Sequence, residues 1–252
     1  MEEVVFLGSK EIGSFCLQEL IKHENVYVTG VLSNDRQLKE SGKTVTRIAG
    51  ENKIPVIQHP DDLPEADFLI SVQYHLILKS RHLAKARKAA VNLHLAPLPE
   101  YRGCNQFSFA ICDEKGEFGT TLHLMDEGID SGDILFERRF PVPDLCTVAQ
   151  LYDLTLEHSK ILFSEKISRV LKGDYRPIPQ KSLIDERGTS VHFRKEIEKL
   201  KNIDADLPLK DIEKRIRATY FPPFPPPYTV IDGEKIELDD QWRQKLKKYG
   251  KL

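Results

Sequence analysis

Val4-Val5-Phe6-Leu7-Gly8-Ser9-Lys10-Glu11-Ile12-Gly13-Ser14-Phe15-Cys16-Leu17-Gln18-Glu19-Leu20-Ile21 runs from an unbroken apolar stretch, through two glycines, into residues whose apolar members recur at helical spacing. Four consecutive apolar residues with no polar alternation suit a strand covered on both faces. Ile12, Phe15, Cys16, Leu20 and Ile21 fall on one face of the helix that follows. A buried strand turning tightly into an amphipathic helix is the first half of a βαβ unit. Four further short apolar runs, Val26 to Leu32, Pro55 to Ile57, Phe68 to Val72 and Ala90 to Leu93, repeat the strand pattern before residue 95. The fold class expected is α/β, with a mostly parallel sheet.

The pattern changes at Gly119. Thr120 to Met125 and Ile134 to Phe140 alternate as strands about an acidic, glycine-broken loop, which suggests a hairpin arm returning to the sheet. Val148 to Lys172 carries apolar residues at helical spacing without a proline, and Gly173 is a stop signal. Residues 1–180 are therefore expected to form the main domain, and 181–252 a C-terminal extension. In that extension a polar linker leads to a helix over Pro208 to Thr219, and then to Tyr220-Phe221-Pro222-Pro223-Phe224-Pro225-Pro226-Pro227-Tyr228. Five prolines in nine residues forbid a helix or a central strand there. Thr229 to Leu238 alternates about Asp232-Gly233, the signal of a two-residue hairpin turn.

A chain of 252 residues buries enough surface to fold without disulfides, and 40% hydrophobic with 30% charged residues is an ordinary globular composition. The formal net charge of -2 gives no general attraction to a phosphate backbone, so no nucleic-acid partner is expected. Cys16, Cys104, Cys112 and Cys146 form no C-x-x-C pair and read as reduced thiols. The N-terminus lacks a basic segment with an apolar one behind it, and the stretch Phe68 to Leu78 is too short to span a bilayer. A cytoplasmic protein without a membrane partner is the expectation.

Gly8 to Gly13 lacks the first-third-sixth glycine spacing of a dinucleotide loop, and no suitably placed acid is evident after the second strand. Asp126, Glu127, Asp130 and Asp133 do not match a calcium loop, and no metal is expected. The informative set is Asn92 and His94, at the carboxyl end of a strand, together with Asp130 in the acidic loop. Open α/β sheets place their chemistry at such strand ends. An amide donor, an imidazole that titrates near neutrality and a carboxylate able to orient it can handle a proton without a metal. Pro97, Pro99 and Arg102-Gly103 stiffen the chain beside them. Phe221, Phe224 and Tyr228 either staple the hairpin to the core or offer a flat surface to a planar ligand.

Asn92-Leu93-His94 with Leu98-Pro99-Glu100-Tyr101-Arg102-Gly103, joined to Gly119-Thr120-Thr121-Leu122-His123 and Asp130-Ser131-Gly132-Asp133-Ile134-Leu135, resembles the 10-formyltetrahydrofolate-dependent formyltransferases over roughly residues 1–175. The resemblance implies a Rossmann-like α/β domain, in which Asn92, His94 and Asp130 are catalytic and 10-formyltetrahydrofolate is the co-substrate. It further implies that Ser71, Gln73, Tyr74, His75, Leu76, Ile77, Asp126 and Asp130 line the folate site. Tyr101 to Phe107 and the tail from Arg217 are most similar to the nucleotide-sugar N-formyltransferases. That subgroup implies an acceptor amine on a nucleotide-linked sugar, dTDP-4-amino-4,6-dideoxyglucose above all, for O-antigen and lipopolysaccharide glycans, and it implies a homodimer. Lys10, Arg102, Gly103, Asn105, Tyr220, Phe221, Phe224 and Tyr228 are the acceptor-binding residues expected on that basis. Transfer to methionyl-tRNA is the alternative enzyme. A folate- or nucleotide-binding module without catalysis is the alternative of a different class.

Overall fold

The computed structural model describes residues 1–35 and 43–252. In chain order the elements that position the site are β1 (Glu2–Gly8), α1 (Lys10–Lys22), β2 (Val26–Leu32), α2 (Val45–Glu51), β3 (Val56–Ile57), β4 (Ala66–Val72), α3 (Ser80–Leu83), β5 (Ala86–His94), β6 (Arg102–Gly103), α4 (Gln106–Cys112), β7 (Glu117–Leu124), β8 (Ile134–Pro141) and α5 (Val148–Leu171). Beyond them lie α6 (Ile184–Arg187), β9 (Val191–His192), α7 (Ile197–Lys201), α8 (Leu209–Thr219), β10 (Tyr228–Ile231), β11 (Glu234–Glu237) and α9 (Trp242–Lys248).

One seven-stranded sheet runs in the order β3-β2-β1-β4-β5-β7-β8. Its first five strands pair in parallel, and β7 and β8 continue it in antiparallel fashion. The hairpin arm expected from the sequence thus extends the sheet. The apolar run in β1 is explained by cover on both faces: Val4 and Phe6 join a core with α1 and α5, while Val5 and Leu7 face a second cluster with Leu69 and Ala90. Strand order reverses between β1 and β4, which opens a crevice at their carboxyl ends. There Ser9 donates from Oγ to the Gln73 carbonyl (2.7 Å) and Lys10 from Nζ to Gln73 Oε1 (3.1 Å).

An acid that follows β2 is occupied within the fold. Asp35 is buried, and its carboxylate accepts from the backbone N–H and the hydroxyl of Thr46, both at 2.8 Å. It is thereby committed to the start of α2.

The long helix α5 begins on a capping box in which Thr147 and Gln150 each satisfy the other's backbone N–H. Lys172 caps its end and Gly173 adopts a positive φ of 68°, the conformation that makes glycine a stop signal. Buried Ser159 on α5 donates to Thr120 Oγ1 (2.8 Å), which donates to the His94 carbonyl (3.0 Å), so the helix fixes the end of β5 through two hydroxyls.

The stretch read as a polar linker carries α6, β9 and α7, and β9 pairs in parallel with β6. Downstream, Ile203, Ile212, Ile216, Ile231, Ile236, Leu238 and Leu246 build a separate small core from α8, the hairpin and α9. Asp232 and Gly233 both have positive φ, at 51° and 81°, as the two-residue turn requires. The sequence reading missed α4 and α9, each of seven residues.

Among the described residues no helix is long and apolar enough to cross a membrane. Thr120→Val keeps the volume while removing the hydroxyl that links Ser159 to the His94 carbonyl, which leaves the buried Ser159 hydroxyl without its acceptor. It is expected to cost roughly 1–3 kcal/mol in urea unfolding.

Candidate active site

Asn92 and His94 are two apart on β5, so the alternation of a strand aims both side chains to one face. Parallel pairing sets Ser71 of β4 beside Asn92, and antiparallel pairing sets His123 of β7 directly across from it. Asp130 reaches the same point from the β7–β8 loop with a positive φ of 46°. Gly132 lets that loop close, because a side chain there would collide with the Leu124 carbonyl.

The Asp130 carboxylate is the hub. Its Oδ2 accepts from the Gly103 N–H at 2.9 Å and lies 3.5 Å from His94 Nδ1. Its Oδ1 lies 3.4 Å from Asn92 Nδ2 and 3.6 Å from His123 Nε2. Carbonyl oxygens only accept, which fixes the imidazole protons. His94 Nε2 donates to the Tyr101 carbonyl (2.7 Å) and His123 Nδ1 to the Leu124 carbonyl (2.7 Å). In the neutral rings the open nitrogens are then Nδ1 of His94, turned toward Asp130, and Nε2 of His123, which accepts from Asn92 Nδ2 at 3.1 Å. Burial pushes the Asp130 carboxyl up. The charge of His94, then the hydrogen bond and charge of His123 and the Gly103 N–H, outweigh it and hold the group well below the usual carboxylate range.

The chain after β5 is held on both sides. Gly103 has φ 85° and its Cα faces the His192 carbonyl too closely for any side chain, so glycine alone can offer its N–H to Asp130 here. The N–H groups of Arg102 and Cys104 bond to the carbonyls of Ser190 (3.1 Å) and His192 (2.8 Å). Behind this pair the His192 ring stacks on Phe109 with centroids 3.5 Å apart. Arg139 pairs with Glu100 and Glu137 (2.7 Å each), and Arg187 with Glu137 (3.0 Å), tying the loop to β8 and α6.

Of the residues expected to act, Asn92, His94 and Asp130 converge. Arg102 and Gly103 join them, Arg102 by donating from Nε to the Ile129 carbonyl (2.8 Å). Asn105 spends its amide on the carbonyls of Phe193 and Arg194 (3.1 and 3.2 Å). Ser71 is buried at the end of β4, and the chain then emerges through Gln73 and Tyr74 to exposed His75, Leu76 and Ile77. Partial burial, then the Arg194 guanidinium, push the His75 imidazole below its ordinary value. Asp126 is exposed, and its Oδ1 accepts from Gly128 N–H and Ser131 Oγ (3.0 and 2.6 Å), so it shapes the acidic loop. Phe221 packs against Tyr152 (5.5 Å), Tyr220 joins the small C-terminal core, Tyr228 lies under Lys235 (4.0 Å), and Phe224 stays exposed. His123 is the site residue that sequence reasoning missed. The signal was present as a histidine on the alternating strand, but only the antiparallel register brings it to Asn92.

The family model described as formyl transferase matches residues 4–167. A GDP-perosamine N-formyltransferase of Brucella melitensis is 32% identical over 170 residues, spanning 68% of this chain and 63% of that protein, less than two thirds of its length. A methionyl-tRNA formyltransferase of Clostridium novyi is 29% identical over 224 residues, 80% of this chain and 72% of that one. The crystal structure of an N-formyltransferase from Helicobacter canadensis, in complex with folinic acid and dTDP-3-aminofucose, superposes with a TM-score of 0.77 at 25% identity, covering 94% of this chain and 86% of that one.

A depressed carboxyl stabilises the fold above its unfolded pKa, ordinarily 3.8, and loses that contribution as pH falls through the lower folded value. The advantage of the native protein over Asp130→Asn in urea unfolding is therefore expected to be full near pH 5 and to shrink steadily toward pH 2.

Proposed function

The chain belongs to the formyl transferase family, and on that premise we propose that it moves the formyl group of 10-formyltetrahydrofolate to the amine of a nucleotide-linked amino sugar. The observation that carries the reading is the convergence of Asn92, His94 and Asp130 at the carboxyl end of β5. The Helicobacter canadensis enzyme, crystallised with a folate and a dTDP-amino sugar, supports the two substrate classes.

In this reading the sugar amine attacks the formyl carbon and negative charge gathers on the former carbonyl oxygen. Asn92 donates an amide hydrogen to that oxygen, the contact to Asp130 at 3.4 Å being the weaker of its two and the one most easily exchanged. Such a donor is typically worth about 3 kcal/mol of barrier. Because His94 keeps its Nε2 proton on the Tyr101 carbonyl, Nδ1 is the atom that takes the proton from the attacking amine. Asp130, beside that nitrogen, stabilises the imidazolium. Collapse of the tetrahedral species forms the amide, breaks the bond from the formyl carbon to folate N10, and returns a proton to N10.

Folate is assigned to the crevice beside Ser71, Gln73, Tyr74, His75, Leu76, Ile77 and Asp126. The acceptor diphosphate is assigned to Lys10 and Arg102 beside Gly103 and Asn105, with its base toward the aromatic-proline stretch. Among sugars, dTDP-4-amino-4,6-dideoxyglucose is the first choice, in an O-antigen pathway and a homodimer. GDP-perosamine is its competitor, as the substrate in the Brucella enzyme's name.

The test is incubation with 10-formyltetrahydrofolate and a panel of dTDP-, UDP- and GDP-linked amino sugars alongside methionyl-tRNA. A mass gain of one formyl group on a sugar nucleotide is expected. Product on the tRNA alone, falling steeply with salt, would replace the acceptor assignment. No product with any acceptor would sink the catalytic reading. His94→Ala is expected to slow the active reaction at least about a hundredfold.

A further inference from the structure

We propose that Gln180 is a positioning residue for formyl transfer, one that sets the Asp130 carboxylate by gripping the backbone of its loop from behind. The proposal rests on the catalytic reading given above and adds to it a residue beyond the family match, which ends at residue 167. Gln180 is buried, and its Nε2 donates both hydrogens, one to the Asp130 carbonyl at 2.8 Å and one to the Gly132 carbonyl at 2.7 Å. Between those carbonyls the chain makes the bend that presents the carboxylate. Asp130 holds a left-handed backbone that a residue with a side chain adopts at a free-energy cost, so something outside the loop must select it. A neighbouring two-way backbone bridge, Ile134 to Ile178 at 2.9 Å in each direction, brings the Gln180 segment to the loop.

The amide also carries a penalty. Gln180 Oε1 is buried with no partner among the described residues. A methionine of similar length would fill the same space without that burden. Methionine would instead leave the Asp130 and Gly132 carbonyls without their donors, so the one orphaned oxygen is set against two bonds made to the loop. The two donors are what glutamine supplies, and both are spent on the loop that carries Asp130. The groups facing the carboxylate itself are His94 on β5, His123 on β7, the Asn92 amide and the Gly103 N–H, with Arg102 anchored next door on the Ile129 carbonyl. All are set on strands or on the β6–β9 pair, so a loop released by loss of Gln180 moves the carboxylate relative to a fixed frame.

Gln180→Met removes both donors at nearly constant volume. Gln180→Asn keeps an amide one methylene too short to reach both carbonyls, and it is made alongside so that a folding failure of the first variant decides nothing. With the acceptor identified by the panel, kcat is expected to fall at least about tenfold while KM for folate and for acceptor stays within about twofold. Independently of any reaction, the Asp130 carboxyl carbon, assigned by its absence in Asp130→Asn, is followed by carbon-13 NMR. Its titration is expected at higher pH in the variant than in the native protein, because burial then goes less fully compensated. Turnover equal to the native enzyme, or coincident titrations of Asp130, overturns the proposal. An inactive native protein whose Asp130 titration still moves in the variant overturns the catalytic reading alone and leaves the grip of Gln180 on the loop established.

Discussion

Placing a carboxylate at the carboxyl end of β5, in the loop where β7 ends and β8 begins, takes it largely out of water, and such a charge persists only where donors and positive charge meet it. Around Asp130 that compensation is assembled from separate parts of the chain: His94 and Asn92 from β5, His123 from β7, and the Gly103 N–H from β6. Each partner is in turn held by a backbone carbonyl or a strand pairing, as His94 is by Tyr101 and His123 by Leu124. The electrostatic demand of one oxygen pair therefore fixes the mutual position of four segments between residues 92 and 130.

The sheet and the chain behind it divide the labour. The parallel half supplies a crevice at its reversal point, and the antiparallel extension closes one side of it and delivers the acidic loop. Residues 178–196 then wrap behind both β6 and that loop, through the Ile134–Ile178 bridge, the β6–β9 pair and the Asn105 amide. The family match ends before this segment begins, yet the segment backs two of the groups that meet around Asp130.

The α/β class, the positions of the main strands, the stop at Gly173 and the turn at Asp232-Gly233 could all be read from apolar spacing and from residues with special backbone freedom. Such features are local, and local patterns carry them. Asn92, His94 and Asp130 were legible as types of chemistry, and the family motif joined them. His123, the Gly103 N–H and Gln180 were not, because each acts through a partner fixed only by tertiary structure: a register, a left-handed backbone, a pair of carbonyls. The same reason hides β9, which holds its shape by pairing with the distant β6, and α6 and α7 are helices of four and five residues, too short to show a period. A seven-residue α4 is too short for helical period to stand out, and the lysines and arginine of α9 obscure its single buried leucine.

The antiparallel pairing of β5 with β7 sets Asn92 opposite His123 and His94 opposite Thr121. Slipping β7 by one residue would bring Leu122 or Leu124 to Asn92 and turn the imidazole to the other side of the sheet. The core would lose its apolar face in the same step, since Leu122 belongs to it. Accuracy of strand pairing and composition of the site are thus one property of this fold: any chain that has buried its sheet correctly has already brought His123 to Asn92, and a misregistered one loses both its apolar face and that juxtaposition.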